Sequence, residues 1–522
     1  MSKFDLKDNS VVAIVGSGAG GGTLAYELTR RGIKVVLFEA GHRESVDSFV
    51  QDPSKSFGML TWLDPRTQSG NWSVARDFPP LPVWHCKSVG GTTTHWTASS
   101  LRLHDWELRP KTTYGKIDGA TLSDWPVPYQ ELKAYYEFAE RRLGVARRNG
   151  NPAMPASNNF KVLYAGAKAL GYKRVHTNYL AINTRVRDNR PFCLQQGFCV
   201  QGCKIAAKWS TLYVEIPKAE ATGFLDLRKE AQVIRIEHNK AGLASAVIYR
   251  GADGSEQRQE ARVVCIAGNA IETPRLLLLS ESARFPAGLA NSSDQVGRNY
   301  THHVQGFIWG VFDKPVHMWR GTPQGGLIED EAIQDPKRGF VGGYHMELVA
   351  LDLPTFPMVG MPYGWGRDFT QVIDKYRNIS GMLYVGEDMP QANNRITLNA
   401  AVKDRWGLPV ANVHVDEHPN DRLMRTHVQQ RGKALYEAIG AKQVVLSSAP
   451  PATHNMGTCR MGSDRALSVC NQWGQTHEIA NLFISDGSQF ASSGSANPTL
   501  TIVALALRQA ERIAKLMKQR QI

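Results

Sequence analysis

No stretch of the 522 residues approaches the ~20 consecutive apolar residues of a membrane-spanning helix. The longer apolar runs, such as residues 500–507, read as core helix. No leader is visible either. The first apolar run, residues 11–15, is broken at once by glycine and is too short for the hydrophobic region of a signal peptide. Cysteine is scarce and odd in number: the seven residues exclude a framework of fully paired disulfides. There is no long basic block, so the formal net charge of +13 reads as a solvated basic surface rather than a nucleic-acid or membrane-binding arm. Internal repeats and low-complexity segments are missing. With 42% hydrophobic and 21% charged residues, the chain buries a real core, which excludes disorder as its default. Its length suggests about three domain-sized units.

What is present is organised around residues 11–39. A short apolar strand feeds Gly16-Ser17-Gly18-Ala19-Gly20-Gly21, a helical run follows, and a second apolar strand ends on Glu39. Gly16 permits a sharp turn, Gly18 lets the backbone approach a pyrophosphate, and Gly21 lets helix and strand pack closely. The helix N-terminus then presents free N–H groups to phosphate. Glu39 lies about twenty residues past the turn, where a carboxylate accepts ribose hydroxyls. An ordinary tight turn between strand and helix would leave that acid unexplained. The fold class expected is α/β, a Rossmann-like dinucleotide-binding domain.

Residues 41–80 read as an irregular surface excursion. In Val89-Gly90-Gly91-Thr92-Thr93-Thr94-His95, the glycines Gly90 and Gly91 suit a loop passing close over a flat ligand, with Thr92 and His95 fixing its position. Residues 129–143 predict an amphipathic helix with Leu132, Tyr135, Tyr136 and Phe138 inward, as core rather than as a sugar platform. Cys193, Cys199 and Cys203 lie in one glycine-bearing loop. Three local thiolates fall short of the usual four zinc ligands. They suit a cuboidal iron–sulfur cluster lacking one iron; a four-iron cluster would need a distant fourth ligand, and three buried thiols are the plain alternative.

Residues 262–279 predict a second strand, glycine turn and helix at Gly268, with residues 272–274 forming the first helical turn, where Pro274 is tolerated. Residues 304–450 predict an antiparallel sheet over the cofactor, with a helix near 421–439. Farther on come His454-Asn455-Met456-Gly457 and a strand ending at Asp486. Then Asn497-Pro498-Thr499 opens the last helix, Asn497 as its cap and Pro498 at the first helical position.

Together these motifs carry a resemblance. The glycine turn at Gly16, Val89-Gly90-Gly91-Thr92, Ala267-Gly268 through Thr273-Pro274, Val296-Gly297-Arg298-Asn299, His454 through Gly457 and Asn497-Pro498-Thr499-Leu500-Thr501 stand in order along the chain. The chain resembles the glucose–methanol–choline (GMC) oxidoreductases over nearly its full length. Its cysteine spacing is similar to that of the FAD-dependent catalytic subunits of bacterial membrane-bound dehydrogenases for sugars and gluconate. Lys204 departs from relatives with proline after the last cysteine.

The resemblance implies FAD, with Val233 near the adenine, Asp486 near the pyrophosphate or ribityl chain, and Pro498 and Thr499 at the ring. It implies a catalytic pair, His454 and Asn497, and a 3Fe-4S cluster on Cys193, Cys199 and Cys203. Some relatives attach flavin through a loop histidine; His95 either does so or simply packs. The FAD domain is expected to be discontinuous (1–103, 206–303, 449–522), with a cap and iron–sulfur segment (104–205) and an inserted α+β substrate domain on an antiparallel sheet (304–448). The function implied is oxidation of a sugar, glycoside or sugar-acid hydroxyl, with electrons leaving through the cluster to a c-type cytochrome. A small signal-bearing subunit would carry the chain to the periplasmic face, although a cytoplasmic enzyme would also lack a leader. A peroxide-forming oxidase and a non-redox flavoprotein are the rival readings.

Overall fold

The computed structural model describes residues 3–56, 60–62, 64–71, 82–353, 355–357, 361, 365–447 and 453–522. Its centre is a five-stranded, wholly parallel sheet. Strands β1 (Val12–Val15), β2 (Val35–Phe38), β3 (Leu225–Arg228), β4 (Val263–Ile266) and β5 (Leu482–Ile484) stand in the order β5-β4-β1-β2-β3. β1, β2, β4 and β5 are apolar and almost wholly buried, as a sheet covered on both faces requires. Helices α1 (Ala19–Thr29), α2 (Asn269–Leu279) and α3 (Thr499–Lys518) begin shortly after β1, β4 and β5. Their N-termini therefore converge on the carboxyl ends of the strands, where ligands bind in open α/β sheets.

The second glycine turn departs in detail from the sequence reading. α2 starts at Asn269, not at residue 272, so Pro274 lies inside the helix. Asn269 adopts the left-handed region, φ +80°, and its Oδ1 accepts from the N–H groups of Ile271 and Glu272 at 2.8 and 3.1 Å. Proline has no N–H to offer the Ala270 carbonyl. The Thr458 hydroxyl donates to that carbonyl instead, at 2.7 Å. α3 likewise begins at Thr499, with Pro498 rather than Asn497 at the cap position and no side chain capping it. The Asn497 side chain is thereby free for other work.

A six-stranded antiparallel sheet covers this crevice. Its core is the pair Val304–Val311 and Ile379–Gly386, flanked by Tyr344–Leu348, Gly326–Ile328 and Gln443–Leu446. The strand Val175–Thr177, from the preceding segment, pairs with Gly326–Ile328 and completes the far edge. The helix Pro419–Glu437 packs on this sheet. The helix Tyr129–Leu143 forms as expected, with Leu132 and Tyr136 fully buried in the main core. Arg395–Lys403 pairs instead with Pro409–His414 in a separate small sheet, which Gln68–Ser69 joins. Part of the surface excursion expected at 41–80, namely 57–59, 63 and 72–80, lies outside the described residues. No helix among the described residues is long and apolar enough to cross a membrane.

Candidate functional site

The crevice holds two adjoining cavities. The first, about 610 Å³, runs along the first βα turn and is lined by Gly16, Gly18, Glu39, Gly91, Thr92, Val233, Gly268, Asp486 and Thr499. Local geometry explains the glycines. Gly16 sits at φ +96°, and a Cβ on it would lie 2.3 Å from the Ala267 carbonyl oxygen. A Cβ on Gly21 would lie 1.9 Å from the Gly16 carbonyl oxygen, so Gly21 sets how closely helix and turn pack. Gly20, which sequence pattern did not single out, is tighter still: its Cβ would lie 1.6 Å from the Ser485 carbonyl oxygen of the neighbouring βα turn. A Cβ on Gly91 would come within 3.0 Å of Gly18 Cα. Two backbones that close leave a narrow, side-chain-free cradle suited to a pyrophosphate. Gly21 and Gly90 build this wall without lining it; the Gly90 N–H donates to Ser17 Oγ at 2.9 Å.

Glu39 is buried and already anchored. It accepts from Ser17 N–H (3.1 Å), Ser17 Oγ (2.7 Å) and Gly41 N–H (2.9 Å). Burial raises its pKa above the ordinary carboxylate value, and these donors oppose the rise. Asp486 holds the crevice floor together. Its Oδ2 accepts from Asn269 N–H and Thr273 Oγ1, and its Oδ1 from Ser488 N–H and Oγ. Burial pushes its pKa up as well.

The second cavity, about 510 Å³, lies between the crevice and the antiparallel sheet, and both His454 and Asn497 line it. Thr92, Trp96, Asn269, Asn455, Thr499 and Ile502 line both cavities, so the two share a wall. His454 stands in the left-handed region, φ +57°. Its Nδ1 lies 2.9 Å from His303 Nδ1 and 3.0 Å from Gln305 Nε2. His303 Nε2 lies 3.3 Å from the Ser493 carbonyl, which can only accept. That contact places the His303 hydrogen on Nε2 and the hydrogen between the rings on His454 Nδ1, leaving His454 Nε2 its lone pair. The Gln305 amide pulls toward the opposite tautomer, so two contacts compete for one nitrogen. Burial lowers the His454 pKa to about 4. Asn497 Oδ1 accepts from Ser99 Oγ at 3.0 Å.

His95 departs from the expectation for a flavin-contacting residue. It lines neither cavity. Its Nδ1 meets the Val200 carbonyl at 2.8 Å, its ring packs edge-on to Phe49, and burial lowers its pKa to about 4. It ties the cofactor loop to the cysteine loop. Lys208 does the same from a fully buried position: its Nζ donates to the carbonyls of Thr94 (3.0 Å), Trp96 (2.7 Å) and Cys199 (2.6 Å). No spacing in the sequence pointed to it.

In the cysteine loop, Cys193 Sγ accepts from Gln195 N–H at 3.3 Å and Cys203 Sγ from Lys208 N–H at 3.4 Å. Burial pushes the Cys199 thiol up to about 12; the Lys208 cation opposes this, and Cys193 and Cys203 add to it. The Cys199 thiol thus lies within reach of the other two sulfurs and of one buried cation. Among the described residues no group of three or more His, Cys, Asp or Glu gathers closely enough to hold a single metal ion.

Matches to known proteins decide the family. The GMC oxidoreductase models match residues 83–305 and 390–506, and a model of an NAD(P)-binding Rossmann-like domain matches 14–50. The chain is a GMC oxidoreductase. It is 30% identical over 542 residues to 2-methyl-1,2-propanediol dehydrogenase of Mycolicibacterium austroafricanum (97% of this chain, 96% of that protein). It is 30% identical over 551 residues to the fructose dehydrogenase large subunit of Gluconobacter japonicus (97% and 98%). It is also 30% identical over 519 residues to paromamine 6'-oxidase of Streptomyces fradiae (96% and 91%). Among solved structures, pyridoxine 4-oxidase from Mesorbium loti shares the fold, with TM-score 0.70 at 15% identity over 97% of this chain and 99% of that one. This GMC oxidoreductase is therefore an FAD-binding flavoprotein that acts on hydroxyl groups. The cavity along the first βα turn, with its glycine cradle and buried acid, fits that cofactor.

Proposed function

We propose that this GMC oxidoreductase is a dehydrogenase that oxidises a hydroxyl of a sugar, glycoside or related polyol to a carbonyl and passes the electrons on through an iron–sulfur cluster. The observation that carries the reading is the shared wall: His454 and Asn497 line a cavity that abuts the dinucleotide cavity. The relatives named for fructose and for a diol support a hydroxyl-bearing substrate.

Bound FAD supplies the hydride acceptor. The protein supplies position and field. Asn497 holds the reacting oxygen, and Ser99 fixes that amide in turn. His454 Nε2 takes the hydroxyl proton as the carbon–hydrogen bond breaks. With its pKa held near 4 by burial, the imidazole is in its base form at neutral pH. The first turn of α3 directs its positive end at the shared wall, where negative charge develops. Cys193, Cys199 and Cys203 would hold a 3Fe-4S cluster, which supplies single-electron transfer. Lys208 offsets the charge of the thiolates and ties their loop to the cofactor loop at Thr94 and Trp96. A c-type cytochrome is the acceptor we assign, with a small signal-bearing subunit carrying the chain to the periplasmic face.

Anaerobic mixing with a panel of fructose, gluconate and 2-methyl-1,2-propanediol tests the reading, because one of these polyols should bleach the flavin. Iron analysis should give iron bound to the protein. A Cys193→Ser/Cys199→Ser/Cys203→Ser variant should still bleach yet fail to reduce a haem acceptor. Undiminished transfer by that variant removes the cluster from the mechanism. The 30% identity to an oxidase favours a second reading in which oxygen is the acceptor; stoichiometric peroxide without iron would establish it.

A further inference from the structure

Each hydroxyl oxidised sheds a proton as well as a hydride, and the substrate cavity must lose that proton before the next turnover. The substrate cavity opens to the surface at Gln196 and Leu353, but among the described residues the hydrogen-bond partners of His454 carry no titratable chain away from it. The His303 ring ends on the Ser493 carbonyl, and the Gln305 amide ends on the His302 carbonyl and the Thr453 hydroxyl.

A different chain leaves the cavity beside Asn497. Ser99 lines the substrate cavity. Its Oγ lies 3.1 Å from Glu347 Oε2 and 3.0 Å from Asn497 Oδ1, so its one hydrogen has two acceptors to choose between. Glu347 is wholly buried, and its Oε1 lies 3.1 Å from His345 Nε2. His345, itself 3% exposed, lines a third cavity of about 230 Å³, which Ser495 and Ala496 also line. That cavity is rimmed by Arg102, His104, Tyr129, Arg148, Tyr179 and Glu329. All six are partly exposed, so it reaches the surface. A polar cavity of this size holds water. Asn178 Nδ2 donates to both Ser99 Oγ and Glu347 Oε2 at 3.1 Å and holds the first link in line.

We propose that Ser99, Glu347 and His345 form a proton relay that carries the proton released by alcohol oxidation from the substrate cavity to the polar cavity behind it. The proton taken by His454 passes through water in the substrate cavity to Ser99 Oγ as the Ser99 hydrogen moves to Glu347. Glu347 hands a proton to His345 Nε2, and the ring releases its other proton, from Nδ1, to water in the polar cavity. Each group ends with the number of protons it began with, and one proton reaches solvent per hydride transferred. A buried histidine–glutamate pair that merely satisfies itself would need neither Ser99 at one end, lining the substrate cavity, nor a polar cavity against the ring at the other.

This inference rests on the reading of His454 as the base. The test follows flavin bleaching and proton release together, by stopped flow in unbuffered solution with an indicator dye, using whichever alcohol of the panel bleaches the wild type. In the wild type the two signals should coincide. In His345→Ala, bleaching should persist while proton release lags by tenfold or more. Imidazole, with its own buffering calibrated out by a known pulse of acid and matched in the 1-methylimidazole samples, should restore coincidence, because it accepts at one nitrogen and releases from the other. The ring 1-methylimidazole fills the same space but cannot release a proton from its methylated nitrogen, and should not rescue. His345→Gln, which keeps a hydrogen bond to Glu347 without a titratable ring, should show the same lag and covers the case in which the alanine variant does not fold. Proton release that stays with bleaching in the variants, or equal rescue by 1-methylimidazole, overturns the relay. A wild type that no alcohol bleaches overturns the underlying reading instead.

Discussion

As the proposed base, His454 is kept neutral by burial. Its pKa near 4 means that the rate of flavin reduction should stay flat from about pH 8 down through the ordinary histidine range and fall only near pH 4. A rapid-mixing pH profile checks this, and an acid limb near 6.5 would contradict it. The same burial has a cost in stability. His454 and His95 both have folded pKa values lowered to about 4 from 6.5, so between those values the unfolded chain binds more protons than the folded one. Stability should therefore be full above pH 6.5 and decline as pH falls toward 4; denaturant titrations at several pH values measure it. His454→Ala should keep its FAD and lose flavin reduction by roughly 10²–10⁴-fold, the usual worth of a positioned base. His303 acts through His454. His303→Leu removes the acceptor that holds the hydrogen on Nδ1, leaves the Gln305 amide to set the tautomer, and should slow reduction on the order of 10²-fold. Its FAD content should be unchanged.

At the scale of elements, the glycine turns and the buried strands were legible because each is a local pattern. Gly16, Gly18, Gly21 and Glu39 lie within one strand–helix–strand unit, and Gly16, Gly18 and Glu39 line the cavity along its turn. Interactions between distant segments were not legible. Gly20 meets Ser485, Ser99 meets Glu347, and His303 meets His454, and nothing local to either partner marks such a meeting. Helix starts misled for a subtler reason. Asn497 and Pro274 satisfy the local preferences for a cap and a first turn, but tertiary partners override them: Thr458 replaces the hydrogen bond that Pro274 cannot give. Thr458→Val keeps the shape and strands the Ala270 carbonyl in the core. It should cost about 1–3 kcal/mol, read as a lowered melting temperature. Gly20→Ala should be far worse, since its added carbon would sit inside the Ser485 carbonyl; the expected result is protein recovered without flavin, or not folded.

For the molecule as a whole, the parallel sheet is assembled from distant parts of the chain, and the antiparallel sheet borrows an edge strand from residues 175–177. No contiguous piece contains a complete site. The cavity that fits FAD is a cradle contributed by several of these parts, so removing the flavin should destabilise the entire fold rather than one lobe. At FAD a hundredfold above its dissociation constant the linkage amounts to about 2.7 kcal/mol. Scanning calorimetry should show one transition that shifts downward in flavin-stripped protein. The fold class could be read from sequence at this scale, since the motifs stand in a fixed order. The tie between cofactor loop and cysteine loop through Lys208 and His95 could not, because a buried lysine has no signature of its own.

Six side chains belong at once to the chamber for FAD and to the chamber beside it. A molecule settling in the second chamber therefore presses on the chromophore's own surroundings. The yellow colour then becomes a gauge: inhibitors and inert sugars that undergo no chemistry should still shift the visible absorption band or quench its emission, and a dye-free titration could rank them.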